Sequence, residues 1–151
     1  MKFPVIYQQQ DDGILISFPD IPEALSSADS EYQAREMAYD ALISALEFYF
    51  EDYKRIPNPT STTSPTGSAT DNYVELPPAL TAKVMLLNTL AESQVSYAEL
   101  ARRLGKKPQE VQRMIDLRHA TKIDTIAAAL ETLGYQLQLS LTPRKASLNL
   151  S

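Results

Sequence analysis

The chain has 151 residues, 44 % of them hydrophobic, a net charge of −5, one histidine and no cysteine. That length allows one ordinary domain or two small ones, and the composition excludes disulfides, thiol nucleophiles, cysteine-ligated zinc and any histidine-based metal cluster. The charge is divided, with four basic against twelve acidic residues in positions 1–73 and ten basic against seven acidic in positions 74–151, so the first half suits a basic partner and the second a nucleic acid.

The opening MKFPVIYQQQDDG holds no long apolar run, which predicts no signal peptide. No segment approaches the roughly 20 apolar residues of a membrane span, and the expectation is a soluble cytoplasmic protein. Residues 3–9 are rich in strand formers, with Pro4 suiting an edge or strand start. Asp12-Gly13 reads as a hairpin turn. Residues 14–18 then alternate, with Ile14, Ile16 and Phe18 on one face and Leu15 and Ser17 on the other. Asp20-Ile21-Pro22 turns the chain toward a short third strand at 24–27.

A long helix is expected from Ser30, capped by Asp29 or Ser30, with Gln33 in capping-box position. Ala34, Ala38, Ala41, Leu42, Ala45, Leu46 and Tyr49 recur at helical spacing, and the helix must stop before Pro57. Phe48, Tyr49, Phe50 and Tyr53 cover too much of its circumference for a single core, so some should pack on the sheet and some face a partner. Residues 57–72, PNPTSTTSPTGSATDN, read as a linker or loop of the kind proteases nick first. A strand at 73–76 is stopped by Pro77-Pro78.

The second half is mainly helical. Residues 81–93 carry Val84, Leu87, Leu90 and Ala91 on one stripe. The segment SYAELARRLGKKPQEVQRMID follows, with the pattern of a helix-turn-helix. Ser96 and Glu99 have capping-box spacing, and Ala98, Leu100, Ala101 and Leu104 form an apolar face. Gly105 suits a helix stop and Pro108 a new helix start. The second helix, expected over 109–116, turns Val111, Met114 and Ile115 inward and Gln109, Gln112 and Arg113 outward, where they suit base edges. Lys106, Lys107, Arg118 and Lys122 flank it as phosphate contacts, with His119 in the same positive loop. A last helix at 123–133, with Ile126, Ala127, Leu130 and Leu133 inward, stops at Gly134. YQLQLSL, 135–141, alternates as a strand without a partner in its own helical domain, and could pair with the same strand of a second subunit. Residues 143–151 read as a loose tail.

Catalysis finds no foothold. Asp11, Asp12, Asp20, Glu47, Glu51 and Asp52 are available as metal ligands, but turn chemistry and a solvated helix end account for most of them. His119 lacks a triad motif, and there is no Gly-rich phosphate loop. The chain is therefore read as a non-enzyme with no metal and no cofactor.

PVIYQQQDDGILISFPDIPEAL, EMAYDALISALEFYFEDYKRIPNP and ARRLGKKPQEVQRMIDLRHATKID follow in this order between residues 4 and 124, and together they resemble the HicB family of antitoxins, in its helix-turn-helix subgroup, a resemblance that covers nearly the whole chain. Where many relatives have a glycine turn, this chain reads Asp29-Ser30 after Ser26-Ser27-Ala28. The resemblance implies an N-terminal half with a partial RNase H-like fold lacking nuclease activity. It implies that this half binds a small basic HicA-like toxin, an mRNA-cleaving ribonuclease. It further implies that the C-terminal half binds promoter DNA and represses its own operon. Against such a toxin the acidic candidates are Asp20, Glu23, Glu47, Glu51 and Asp52.

The expected fold is α+β: an N-terminal RNase H-like sheet with one long helix, then an all-α helix-turn-helix domain with a terminal strand. The expected division is 1–77 for the toxin, 78–142 for operator DNA and dimerisation into a homodimer or higher oligomer, and 143–151 as tail. The rival reading is a stand-alone transcriptional regulator whose N-terminal domain senses a small ligand.

Overall fold

The computed structural model describes residues 1–60 and 72–144. It is a mixed α/β structure, strands first and helices after. β1 (Lys2–Pro4) pairs antiparallel with β5 (Tyr73–Glu75), so the beginning of the chain is held by a strand about seventy residues later. β2 (Ile6–Gln10), β3 (Gly13–Ser17) and β4 (Leu25–Ala28) form an antiparallel sheet in that order. The expected single strand at 3–9 is thus two, because Pro4 ends the first ladder and the buried Val5 donates its N–H to the carbonyl of Asn72 at 3.1 Å.

The hairpin turn is Asp11-Asp12, not Asp12-Gly13: Gln10 pairs with Gly13, which opens β3. Gly13 has φ of +139°, and a Cβ there would lie 2.5 Å from the carbonyl oxygen of Ala28. Glycine is required at that point by both backbone conformation and close approach.

α1 (Glu31–Glu51) crosses β3 and β4. Ser30 accepts the N–H of Gln33 at 3.4 Å as its N-cap. The buried residues Ala34, Ala38, Leu42, Ala45 and Leu46 let the helix lie close against Ile14, Ile16 and Phe18. Its aromatic end divides: Tyr49 and Phe50 are buried, Tyr53 is half-buried and Phe48 is 61 % exposed.

α2 (Pro78–Ser93) starts three residues earlier than its apolar stripe suggested, because Pro78 fits the first helical turn. The stripe is also two faces rather than one. Val84 and Leu87 join the core under the sheet, whereas Ala82, Leu86 and Leu90 join a second core made with α3 (Tyr97–Leu104), α4 (Pro108–Met114) and α5 (Ile123–Thr132). Ile115 and Leu117, just beyond α4, also pack into the first core.

α3 is capped by Ser96, which accepts the Glu99 N–H at 3.1 Å, and ends at Gly105 with φ of +64°. The expected capping box is only half formed, since the Glu99 carboxylate is held by Arg102 and Arg103 instead. Leu100 and Ala101 are buried, whereas Ala98 is exposed. α4 ends two residues sooner than expected, at Met114. Residues 135–141 form no ladder, because no strand among the described residues lies beside them; Leu139 is 76 % exposed, whereas Leu137 is partly buried against the helical core. Most of the Pro/Ser/Thr segment expected at 57–72, and residues 145–151 of the expected tail, lie outside the described residues.

Candidate functional site

The exposed face of α4 carries Gln109, Gln112 and Arg113, while Val111 and Met114 of the same helix are buried in the helical core. The turn before it, residues 105–107, leaves Lys106 and Lys107 in solvent. Glu110 accepts the backbone N–H of Lys107 at 2.9 Å, which fixes where the helix starts. Lys106, Arg113 and Lys122 line one hollow of about 190 Å³ with His119, Thr121 and Thr125. Three of the expected DNA contacts therefore converge, next to two glutamines able to read base edges.

Arg118 stands apart from them. Its guanidinium points to α1, pairing with Glu47 and donating to the Ser44 hydroxyl at 3.3 Å. Glu47 and Glu51 in turn share a cleft of about 600 Å³ with Gln112, Arg113 and Asp116, floored by Phe50, Ile115 and Leu117. The acidic end of α1 and the outward face of α4 thus bound the same cleft.

The other acidic candidates are separately employed. Asp20 accepts the N–H and hydroxyl of Thr60, at 2.9 and 3.1 Å. Glu23 accepts the Tyr49 hydroxyl at 2.9 Å, and burial, followed by this carboxylate, pushes the phenol up to about 12. Asp52 is the exposed C-cap of α1. Glu99, gripped by Arg102 and Arg103, has its carboxyl held down at about 2 by those hydrogen bonds. The two arginines are thereby occupied on their own helix.

The join between the halves was not legible from the sequence. Tyr53 adopts φ of +53° at the end of α1, where glycine is usual. Its hydroxyl donates to the carbonyl of Leu90 at 2.6 Å and lies against that of Val95, and its ring meets Tyr97 edge-on at 5.2 Å. Tyr97 donates to the carbonyl of Phe50 at 2.6 Å. Burial raises the pKa of both phenols. The buried Asn88 amide clamps Ile56, accepting its N–H at 2.8 Å and donating to its carbonyl at 3.0 Å. Arg55 pairs with Glu92 at 2.8 Å.

Among the described residues no group of three or more histidines, aspartates or glutamates stands where it could hold a metal ion. No helix among them is long and apolar enough to cross a membrane.

The profile of the HicB-like antitoxins of bacterial toxin–antitoxin systems matches residues 2–85, from β1 into α2. Beyond that span, whole-chain relatives continue the similarity. The antitoxin HicB 2 of Photorhabdus laumondii is 50 % identical over 139 residues, 92 % of this chain and 95 % of the relative. The antitoxin HicB of Escherichia coli K12 is 44 % identical over 140 residues, 92 % of this chain and 98 % of the relative. That of Pseudomonas fluorescens is 40 % identical over 144 residues, 93 % of each. The chain belongs to the HicB antitoxin family of bacterial toxin–antitoxin systems. Membership points to a regulatory, non-enzymatic role and implies a toxin as partner.

Proposed function

We propose that this antitoxin neutralises a small, basic, HicA-like mRNA-cleaving toxin through its N-terminal half and represses its own operon through α3 and α4, acting as a helix-turn-helix in the cytoplasm. The observation that carries the DNA-binding part is the exposed α4 face, where Gln109, Gln112 and Arg113 stand beside Lys106, Lys107 and Lys122, with Glu110 on the helix and Glu47, Glu51 and Asp116 in the adjoining cleft as acidic neighbours. Glutamines and an arginine on a short helix suit the major groove, and lysines around it suit phosphates. The acidic surplus of the first half supports a basic partner there.

The division of labour follows the boundary near residue 77, with α2 as a spine shared by both halves. Residues 135–141 expose Tyr135, Leu139 and Leu141 along a segment with no regular secondary structure, and its alternating sequence supports strand pairing between two copies and so a homodimer able to read two half-sites. The test has two arms. Tagging the small neighbouring gene product should bring this chain down with it, and the chain alone should shift the promoter fragment upstream of its gene. Failure of the first arm removes the toxin; failure of the second removes repression.

A further inference from the structure

One basic residue of the second half cannot serve as a phosphate contact. Lys83 on α2 is only 1 % exposed. Its ammonium donates to the carbonyl oxygens of Asp116 and His119, both at 2.6 Å, and reaches that of Arg113 at 3.4 Å. These three carbonyls belong to the C-terminal end of α4 and to the loop behind it. Carbonyls at a helix end lack intrahelical donors, and the helix dipole makes that end negative. A buried cation there satisfies both.

We propose that Lys83 is a positioning residue for DNA recognition: from inside the protein it ties the end of α4 to the loop at 115–122, and so fixes Gln112 and Arg113 relative to Lys122. The inference rests on the DNA-binding reading above and names what holds that surface in shape.

Two further observations agree. The Thr121 hydroxyl donates to the same Arg113 carbonyl at 3.4 Å, so the loop folds back on α4 from a second point. The His119 N–H donates to the Asp116 carbonyl at 3.1 Å, and the Arg118 N–H to the Asp116 carboxylate at 2.9 Å, closing a compact turn around the ammonium. Burial lowers the Lys83 pKa, while the Asp116 charge acts against that shift. Without the ammonium, the His119 carbonyl loses its donor and those of Asp116 and Arg113 keep only donors from within the turn itself, so the loop is free to relax outward. Lys106 and Lys107 lie before α4, outside the segment whose carbonyls Lys83 holds.

The experiment uses the full chain and Lys83→Met, which keeps the apolar stem and removes the donors. Binding is measured, well below the melting temperature, to the promoter fragment upstream of the gene and to a random duplex of equal length. Promoter affinity should fall about tenfold or more, the scale of a lost base contact, and random-duplex affinity should fall severalfold less, by no more than the phosphate contact of Lys122. Amide hydrogen exchange should quicken at 115–122 and stay unchanged in α1. Wild-type promoter affinity in Lys83→Met overturns the proposal, and so does an equal loss on both duplexes. If Lys83→Met lacks a cooperative melt, Lys83→Gln, which keeps two N–H donors at shorter reach, is judged by the same two criteria. Wild-type protein that does not bind the promoter fragment defeats the DNA-binding reading, and this inference with it.

Discussion

Arg118 and Glu47 lie 71 residues apart in sequence and are partners in the fold, with the Ser44 hydroxyl completing the arginine's contacts. Charge and position in the sequence assign them to opposite tasks, the arginine to phosphate and the glutamate to a basic protein. In the structure the glutamate holds the arginine as a phosphate would. An exposed pair of this kind is weak, on the order of 0.2–1 kcal/mol, so either partner can be drawn away by a stronger ligand.

Glu47→Gln should therefore strengthen promoter binding by a few fold, about 0.5–1 kcal/mol, by releasing Arg118 to DNA. The gain should vanish in an Arg118→Ala background. Titrations of the four proteins at one salt concentration measure this directly.

Arg113 stands where both surfaces meet, on the outward face of α4 and on the rim of the cleft with Glu47 and Glu51. Arg113→Ala should lower promoter affinity by about 1–3 kcal/mol and relax sequence preference at one position per half-site. A gel shift with single-base promoter variants shows whether it does.

Asn88 is the buried clamp between α2 and the chain leaving α1. Asn88→Ala removes both hydrogen bonds and leaves the Ile56 backbone groups buried and unpaired. Stability should fall by about 2–4 kcal/mol, read from urea unfolding.

Gly13 admits no side chain, because a Cβ would meet the Ala28 carbonyl at 2.5 Å with φ at +139°. Gly13→Ala should destabilise the sheet by about 1–3 kcal/mol or more, seen as a lower urea midpoint.

Alkaline pH offers a test of the buried phenols. The Tyr49 phenol is pushed up to about 12 by burial and by its bond to Glu23, and those of Tyr53 and Tyr97 are raised in the same direction by burial. A folded state that keeps protons the unfolded chain releases loses stability as pH rises. The contribution is full below the ordinary phenol value of about 10 and should be lost between roughly pH 10 and 12. Tyr49→Phe should flatten that fall in part, which urea midpoints across the window measure.

Periodicity made the main elements legible. The alternation of Ile14, Ile16 and Phe18 marks β3, and the small residues Ala34, Ala38 and Ala45 mark the face of α1 laid on it. Gly105 and Pro108 mark the turn before α4. What periodicity cannot show is a polar group buried for a tertiary reason. Lys83 and Asn88 occupy interior positions of α2 where an apolar pattern predicts apolar residues, and their partners are backbone groups thirty or more residues away. Tyr53 takes a left-handed conformation that glycine usually fills, because its hydroxyl and ring gain contacts elsewhere. YQLQLSL alternates as a strand would, but a strand needs a neighbour and the described residues offer none there, so no strand forms. Candidate site residues on α4 were legible because helix spacing alone separates its inward from its outward side chains; the orientation of Arg118 was not, since it depends on a helix seventy residues earlier.

The most direct measurement is to titrate the purified full chain into the small basic ribonuclease proposed as its toxin, during cleavage of messenger RNA. The expected result is loss of cleavage at a fixed stoichiometric ratio, with the RNA intact once the antitoxin is in excess. Cleavage that continues unchanged at saturating antitoxin would contradict the central claim.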